Sequence, residues 1–257
     1  VGYDGSGQVV AVLDTGVDKA HPFFTNVSAK IVSEACYSSS DPDAGATSVC
    51  PGGVAETSVM GSGVHCDLSV DGCDHGTHVA GIAAGNDGLG PDYGVARGAG
   101  LIAVQVFSRF DGAGCTDLGL PTPCALSFTS DQVKGLERVL ELRTAFDIAA
   151  VNMSLGFGEY SDQASCDADY PATKAAIDNL RSVGIATIIA AGNEGSTDSL
   201  AAPGCISSAI SVGATDDSDR LAELSDVAPF VSLLAPGVSI TSSVPQGGTA
   251  TWSGTSM

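Results

Sequence analysis

Short, mainly apolar runs separated by amphipathic stretches predict an α/β fold built on a mostly parallel sheet buried on both faces. Five such runs recur: Val9 to Leu13, Leu101 to Phe107, Ile148 to Met153, Ile185 to Ala191 and Ala209 to Val212. They do not alternate, they are rich in Val, Ile and Ala, and Gly or Asp bounds them, the pattern of strands covered on both sides. The stretches between them carry apolar residues at helical spacing.

The elements follow in order. Val9 to Leu13 is a strand. A short helix follows Gly76, with Val79, Ile82 and Ala83 on one side, and closes at Gly85. Ser130 is a candidate cap for a helix through Val133, Leu136, Leu140 and Arg143, whose spacing makes one stripe. A further helix runs from about Ala172 to Val183, with Ala176, Ile177, Leu180 and Val183 inward, and Gly184 is a suitable residue to end it. Strand and helix alternate as βαβ units.

Composition narrows the class. The 257 residues are 44% hydrophobic and only 16% charged, enough apolar material for a single large domain spanning 1–257. Ten basic against thirty acidic residues give a net charge of -20, which repels a phosphate backbone and an anionic membrane, so nucleic acid and membrane are not expected partners. No stretch approaches the roughly 18 consecutive apolar residues of a membrane span. The opening Val1 to Gly7 has no basic or apolar leader region, so no signal peptide is expected within the chain.

Eight cysteines, an even number scattered through loop-like sequence, point to disulfides and an oxidising, extracellular setting. Eight cysteines allow 105 pairings. The sequence-local choice is Cys36 with Cys50, Cys66 with Cys73 and Cys115 with Cys124, leaving Cys166 with Cys205. Residues 36–73 and 111–124, crowded with Ser, Gly, Asp, Pro and Cys, then read as disulfide-stapled insertions.

Ligands of open parallel sheets bind beyond the carboxyl ends of the strands. Three rim segments stand out: Asp14 after the first run, Ser154-Leu155-Gly156 after Met153, and Gly192-Asn193 after Ala191. A carboxylate at a buried strand end needs a partner. A candidate is His75, at the start of the amphipathic helix in Asp74-His75-Gly76-Thr77-His78-Val79-Ala80-Gly81.

Here a resemblance becomes specific. Val12-Leu13-Asp14-Thr15-Gly16-Val17 resembles the aspartate motif of subtilisin-like serine proteases. His75 to Gly81 resembles their histidine motif, and Gly254-Thr255-Ser256-Met257 their serine motif. The order Asp, His, Ser also matches that family, and further similarity in Asn152 to Gly156 and Ala190 to Gly195 extends it over nearly the whole chain.

The resemblance implies a three-layer, doubly wound, mostly parallel sheet with helices on both faces, and a secreted serine endopeptidase acting as a monomer on polypeptides. In that reading Ser256 is the nucleophile, His75 the general base and Asp14 the acid that orients it. Asn193 matches the family's oxyanion-hole asparagine. Ser154, Leu155 and Gly156 match a segment that binds an extended peptide, and Gly192 leaves the neighbouring pocket open. The chemistry requires no cofactor; structural calcium is a family trait, although no contiguous ligand pattern marks a site.

The family's serine opens a long buried helix, and this chain ends at Met257. The expectation is a piece of a longer catalytic domain, without its prosegment and C-terminal helical part, and one alternative reading is that the 257 residues by themselves are an inactive fragment of the enzyme. Three rival readings remain. A catalytically silent fold used for binding would keep the scaffold and lose the chemistry. A nucleotide-binding α/β protein would need its Gly-rich turn after the first strand, whereas Gly5-Ser6-Gly7 precedes it. A zinc site would use His75 and His78 with Cys66 and Cys73, but leaves Asp14, Asn193 and Ser256 without a role, so His78 is read as structural and no metal is assigned.

Overall fold

The computed structural model describes residues 3–89 and 94–257; Val1 and Gly2, which begin the opening Val1 to Gly7 stretch, lie outside the described residues. Packing divides the chain into two compact units, Val1–Ile148 with Ser242–Thr249, and Ala149–Thr241 with Ala250–Met257.

In the first unit the strand Val9–Asp14 pairs in parallel with Gly100–Gln105, Asp14 lying opposite Gln105. Gly100–Gln105 pairs in turn with Ile31–Tyr37, also parallel, and the short Glu56–Thr57 closes that edge antiparallel. Leu13, Leu101 and Ile102 are fully buried, as a strand covered on both faces requires.

Two consecutive residues show what covers those faces. A Cβ added to Gly135, in the helix Thr129–Leu142, would come within 2.9 Å of the Leu13 side chain, and one on Gly76, in the helix His75–Ala84, within 3.1 Å of Asp14. Successive strand residues point to opposite faces, so these two helices lie on opposite sides of the sheet. The segment Ser242–Thr249 fastens one of them: Ser242 and Ser243 donate their hydroxyls to the carbonyls of His78 and Thr77, 2.8 and 2.9 Å away.

The second unit repeats the parallel scheme. Ala186–Ala190 lies between Ile148–Met153 and Ile210–Thr215, and Leu233–Pro236 extends the outer side. The helix Pro171–Ser182 packs on the central strand and buries Thr173, Ala176, Ile177 and Leu180. A separate antiparallel ribbon joins Phe157–Tyr160 to Leu200–Ala202.

Several local expectations change. The helix expected from Ser130 begins at Thr129 after Phe128, and no side chain caps it. Its buried stripe runs through Asp131, Gly135, Leu136 and Val139, because Asp131 turns inward to accept from the amide and hydroxyl of Ser39. Val183, expected inward, is exposed past the end of its helix. Two strands absent from the apolar pattern, Ile31–Tyr37 and Leu233–Pro236, are present.

The four disulfides are the three sequence-local pairs, Cys36–Cys50, Cys66–Cys73 and Cys115–Cys124, and the remaining pair, Cys166–Cys205. The stapled segments hold more order than loops. Ala46–Thr47, Ser108–Phe110 and Cys124–Leu126 form a small antiparallel sheet, and Ala46, Phe110, Cys115 and Cys124 build a satellite core beneath it. No helix among the described residues is long and apolar enough to cross a membrane.

Candidate active site

The candidate residues fall into two groups, one in each unit. Asp14 and His75 meet in the first. Asp14 ends its strand fully buried, and its carboxylate accepts from the Thr15 amide at 2.7 Å. A carboxylate withdrawn from water costs several kcal/mol unless further donors compensate. His75 is that donor: Nδ1 lies 2.9 and 3.1 Å from the two Asp14 oxygens. Since a carboxylate only accepts, Nδ1 carries the proton and Nε2 is left as the basic nitrogen.

Local sequence fixes this geometry. Gly76 donates its amide to Thr15 Oγ1 at 2.9 Å, so the first turn of the histidine's helix is tied to the residue following the aspartate. Gln105, opposite Asp14 in the sheet, donates to the Thr15 carbonyl at 2.6 Å and braces the same corner. Any larger residue than glycine at position 76 would strike the Gly16 carbonyl. From the other side, the His75 amide donates to Gly72 O at 3.1 Å, within the loop closed by Cys66–Cys73.

Burial works against charge on the His75 ring. The Asp14 charge and hydrogen bond, with the Asp74 charge, outweigh it and raise the imidazole above its ordinary value. The result is a stronger base.

The second unit gathers Ser154, Gly192, Asn193 and Ser256. Asn193 Oδ1 accepts from the Thr255 amide at 2.8 Å, and Thr255 Oγ1 lies 3.0 Å from the same oxygen. These contacts engage the carbonyl end of the Asn193 amide. Ser154 donates its hydroxyl to the Ser256 carbonyl at 2.9 Å and accepts from Asn152 Nδ2 at 3.1 Å. A cavity of about 150 Å³ opens beside these residues, lined among others by Asn152, Ser154, Val212, Pro236, Thr255 and Ser256.

Leu155 is buried and Gly156 exposed, and both lead into the ribbon strand Phe157–Tyr160. A Cβ on Gly156 would come within 3.0 Å of Ala201. At Gly192 the missing side chain admits a neighbour: with φ at +120°, a Cβ there would collide with a carboxylate oxygen of Asp226.

Among the described residues no three or more His, Cys, Asp or Glu side chains gather as a metal-ligand set. Cys66 and Cys73, the thiols a zinc reading would recruit beside His78, are consumed by their disulfide. His78 itself is fully buried inside the helix.

Sequence reasoning passed over Thr15, Gln105, Thr255 and Asp226. Thr15 and Thr255 sit within quoted motifs, and their hydroxyls next to functional residues were a usable signal. Gln105 and Asp226 had none, because only folding brings them to the site.

The matches to known proteins extend over this whole framework. The model of the subtilase family matches residues 5–257. Subtilisin NAT of Bacillus subtilis subsp. natto is 34% identical over 260 residues, covering 100% of this chain and 53% of its own length. Subtilisin of Bacillus pumilus is 33% identical, covering 100% of this chain and 74% of its own length. A cuticle-degrading serine protease of Orbilia oligospora is 31% identical, with coverages of 98% and 47%. The chain thus spans about half the length of most of these curated relatives.

Among solved structures, a psychrophilic protease aligns with a TM-score of 0.70 at 29% identity, covering 99% of this chain and 74% of its own. A cold-adapted subtilisin-like serine proteinase aligns at 0.64 and 27%, covering 100% and 72%. The fold is therefore the subtilisin-like α/β fold, with its large, mostly parallel sheet and flanking helices. By the family model and by these relatives, the chain belongs to the subtilase family.

Proposed function

We propose that the protein carrying these residues is a secreted serine endopeptidase that acts as a monomer on polypeptides. The observation that supports this best is the bond from His75 Nδ1 to the buried Asp14, which leaves Nε2 as a base of raised strength.

In the reaction we propose, an extended peptide lies along Ser154, Leu155 and Gly156; Gly192, expected to keep a pocket open, instead makes room for the Asp226 carboxylate. His75 Nε2 accepts the Ser256 hydroxyl proton as Ser256 Oγ bonds to the scissile carbonyl carbon. The carbonyl oxygen takes up the negative charge and receives hydrogen bonds from the Asn193 amide and the Ser256 backbone N–H. His75 then gives its proton to the leaving amine as the C–N bond breaks. Water, deprotonated by the same nitrogen, releases the acyl group from Ser256. Asp14 stabilises the imidazolium throughout without taking the proton.

Each step is assigned to a group of this chain, so the chemistry as written uses no cofactor. Secretion accords with the four disulfides, which persist in oxidising compartments. The test is casein hydrolysis by the full-length chain. The reading expects activity that a serine-directed inhibitor abolishes; absent activity, or activity indifferent to the inhibitor, contradicts it.

A further inference from the structure

One buried carboxylate near the site has no part in that mechanism. Asp226 is fully buried in the second unit. Its Oδ1 accepts from the amides of Glu194 at 3.1 Å and Ser196 at 2.8 Å, and its own amide donates to Gly192 O at 3.0 Å. These three bonds grip the chain immediately before and immediately after Asn193. Oδ2 has no hydrogen-bond partner among the described residues, and it occupies the space that a side chain on Gly192 would need.

A buried carboxylate with one orphan oxygen is a costly way to hold a loop. An asparagine there would meet the same amides with less penalty. The cost falls at the one loop that carries the oxyanion donor, where Glu194 Oε2 also accepts from the Asn193 amide at 2.8 Å. Asn193 is thereby bound on three sides: through Gly192 and Glu194 to Asp226, through its own amide to Glu194, and through Oδ1 to Thr255.

We propose that Asp226 is a positioning residue for Asn193, its carboxylate clamping residues 192–196 so that the Asn193 amide NH2 meets the developing oxyanion. Asp226 touches no substrate in this role; it acts through the loop. The inference rests on the protease reading above.

The charge environment is that of a buried carboxylate beside a second one. Burial pushes the Asp226 carboxyl up to about 6, the Ser196 and Glu194 amides hold it down in part, and the Glu194 carboxylate adds to the upward push. When Asp226 is protonated, its hydroxyl is a donor within reach of that Glu194 carboxylate, and Oδ1 keeps both amide bonds. Asparagine at position 226 would mimic this form, with Oδ1 as acceptor and an NH2 in place of the protonated oxygen.

The test is a double-mutant cycle in the full-length chain, with kcat and KM measured on a peptide substrate and active sites counted by fluorophosphonate labelling. Asp226→Ala is expected to lower kcat about tenfold or more, a fraction of the 10² to 10³ that loss of an oxyanion donor costs, with KM changed by less than about twofold. Asp226→Asn should stay within about threefold of the parent. In an Asn193→Ala background, Asp226→Ala should cost less than about twofold further, since the donor it positions is gone.

Equal kcat losses in both backgrounds, an unchanged kcat, or an Asp226→Asn as damaged as Asp226→Ala would each overturn the proposal. If Asp226→Ala does not fold, Asp226→Ser keeps an acceptor for one amide and must show the same dependence on Asn193. A parent chain with neither hydrolysis nor labelling would refute the protease reading itself and with it this role. Active, labelled parent enzyme with any overturning outcome refutes only the role of Asp226.

Discussion

Asp14 Oδ1 lies 2.9 Å from His75 Nδ1, joining the last residue of one strand to the first residue of a helix that packs on it. This bond decides which ring nitrogen is basic and how basic it is. The donor side is the imidazole, so Asp14 can orient the ring only while it remains an acceptor.

Substituting Asp14→Asn replaces one acceptor oxygen with a donor and favours the wrong tautomer. In the full-length chain kcat is expected to fall on the order of 10⁴, the scale seen when the same change is made in a serine-protease triad. Steady-state kinetics on a peptide substrate measures it, and a loss below about tenfold would contradict the assigned geometry.

The raised imidazole sets a pH limb. A protonated His75 cannot accept a proton, so kcat/KM should fall tenfold per unit of pH once pH drops below a His75 value that lies above 6.5. The sign follows from Asp14: opposite charge favours imidazolium and moves the limb upward. A rate profile flat down to pH 5 would remove His75 as the base.

Much of this was legible in the chain. Val9–Asp14 and Ala186–Ala190 announce themselves because strands covered on both faces are mainly apolar, with only Asp14 and Thr187 polar among these residues. Ile31–Tyr37 is equally buried in part, yet Ser33 and Glu34 break its pattern. Glu34 is tolerated there because Lys19 Nζ and the Gly61 amide reach one of its oxygens at 2.8 and 2.7 Å, partners that no sequence pattern supplies. Leu233–Pro236 was hidden differently, as an exposed strand of four residues ending in proline.

The site shows the same division. Asp14, His75 and Ser256 lie in motifs that can be read directly. Thr255 was visible as a residue and silent as a role, because its contact with Asn193 spans 62 positions. Asp226 reaches the 194–196 amides only after the second unit folds, since 30 or more residues separate them in the chain.

Thr255→Val should therefore weaken catalysis through Asn193. It removes the hydroxyl that lies 3.0 Å from Asn193 Oδ1 while keeping the amide bond at 2.8 Å. One such bond is worth about 1 kcal/mol, so kcat should drop about fivefold, and Thr255→Ser should restore it. Equal losses in both variants would assign the effect to packing.

Asp226 also makes a prediction about stability. Its carboxyl is raised from 3.8 to about 6 in the folded protein, so the folded state binds that proton more tightly than the unfolded chain does. Its contribution is greatest below pH 3.8 and is lost as pH rises to about 6. The difference in Tm between the parent and Asp226→Asn should shift in favour of Asn across that window and level off above it. A difference independent of pH would show that the carboxyl titrates normally.

The disulfides should rank by the chain they close. Cys166–Cys205 spans 39 positions and Cys66–Cys73 only 7. Chain entropy gives about 4 kcal/mol for the longer loop and about 2.5 for the shorter. Paired Cys→Ser variants followed by denaturant unfolding should reproduce that order. The Cys66, Cys73 variant should nevertheless lose more activity, because Gly72 within its loop holds the His75 amide.

The most direct test of the central claim is covalent. The full-length chain, treated with a fluorophosphonate and mapped by mass spectrometry, should carry the label on Ser256, and His75→Ala should abolish it on the same timescale. Label on another serine, or on Ser256 at an undiminished rate in His75→Ala, would contradict an Asp14, His75 and Ser256 catalytic centre.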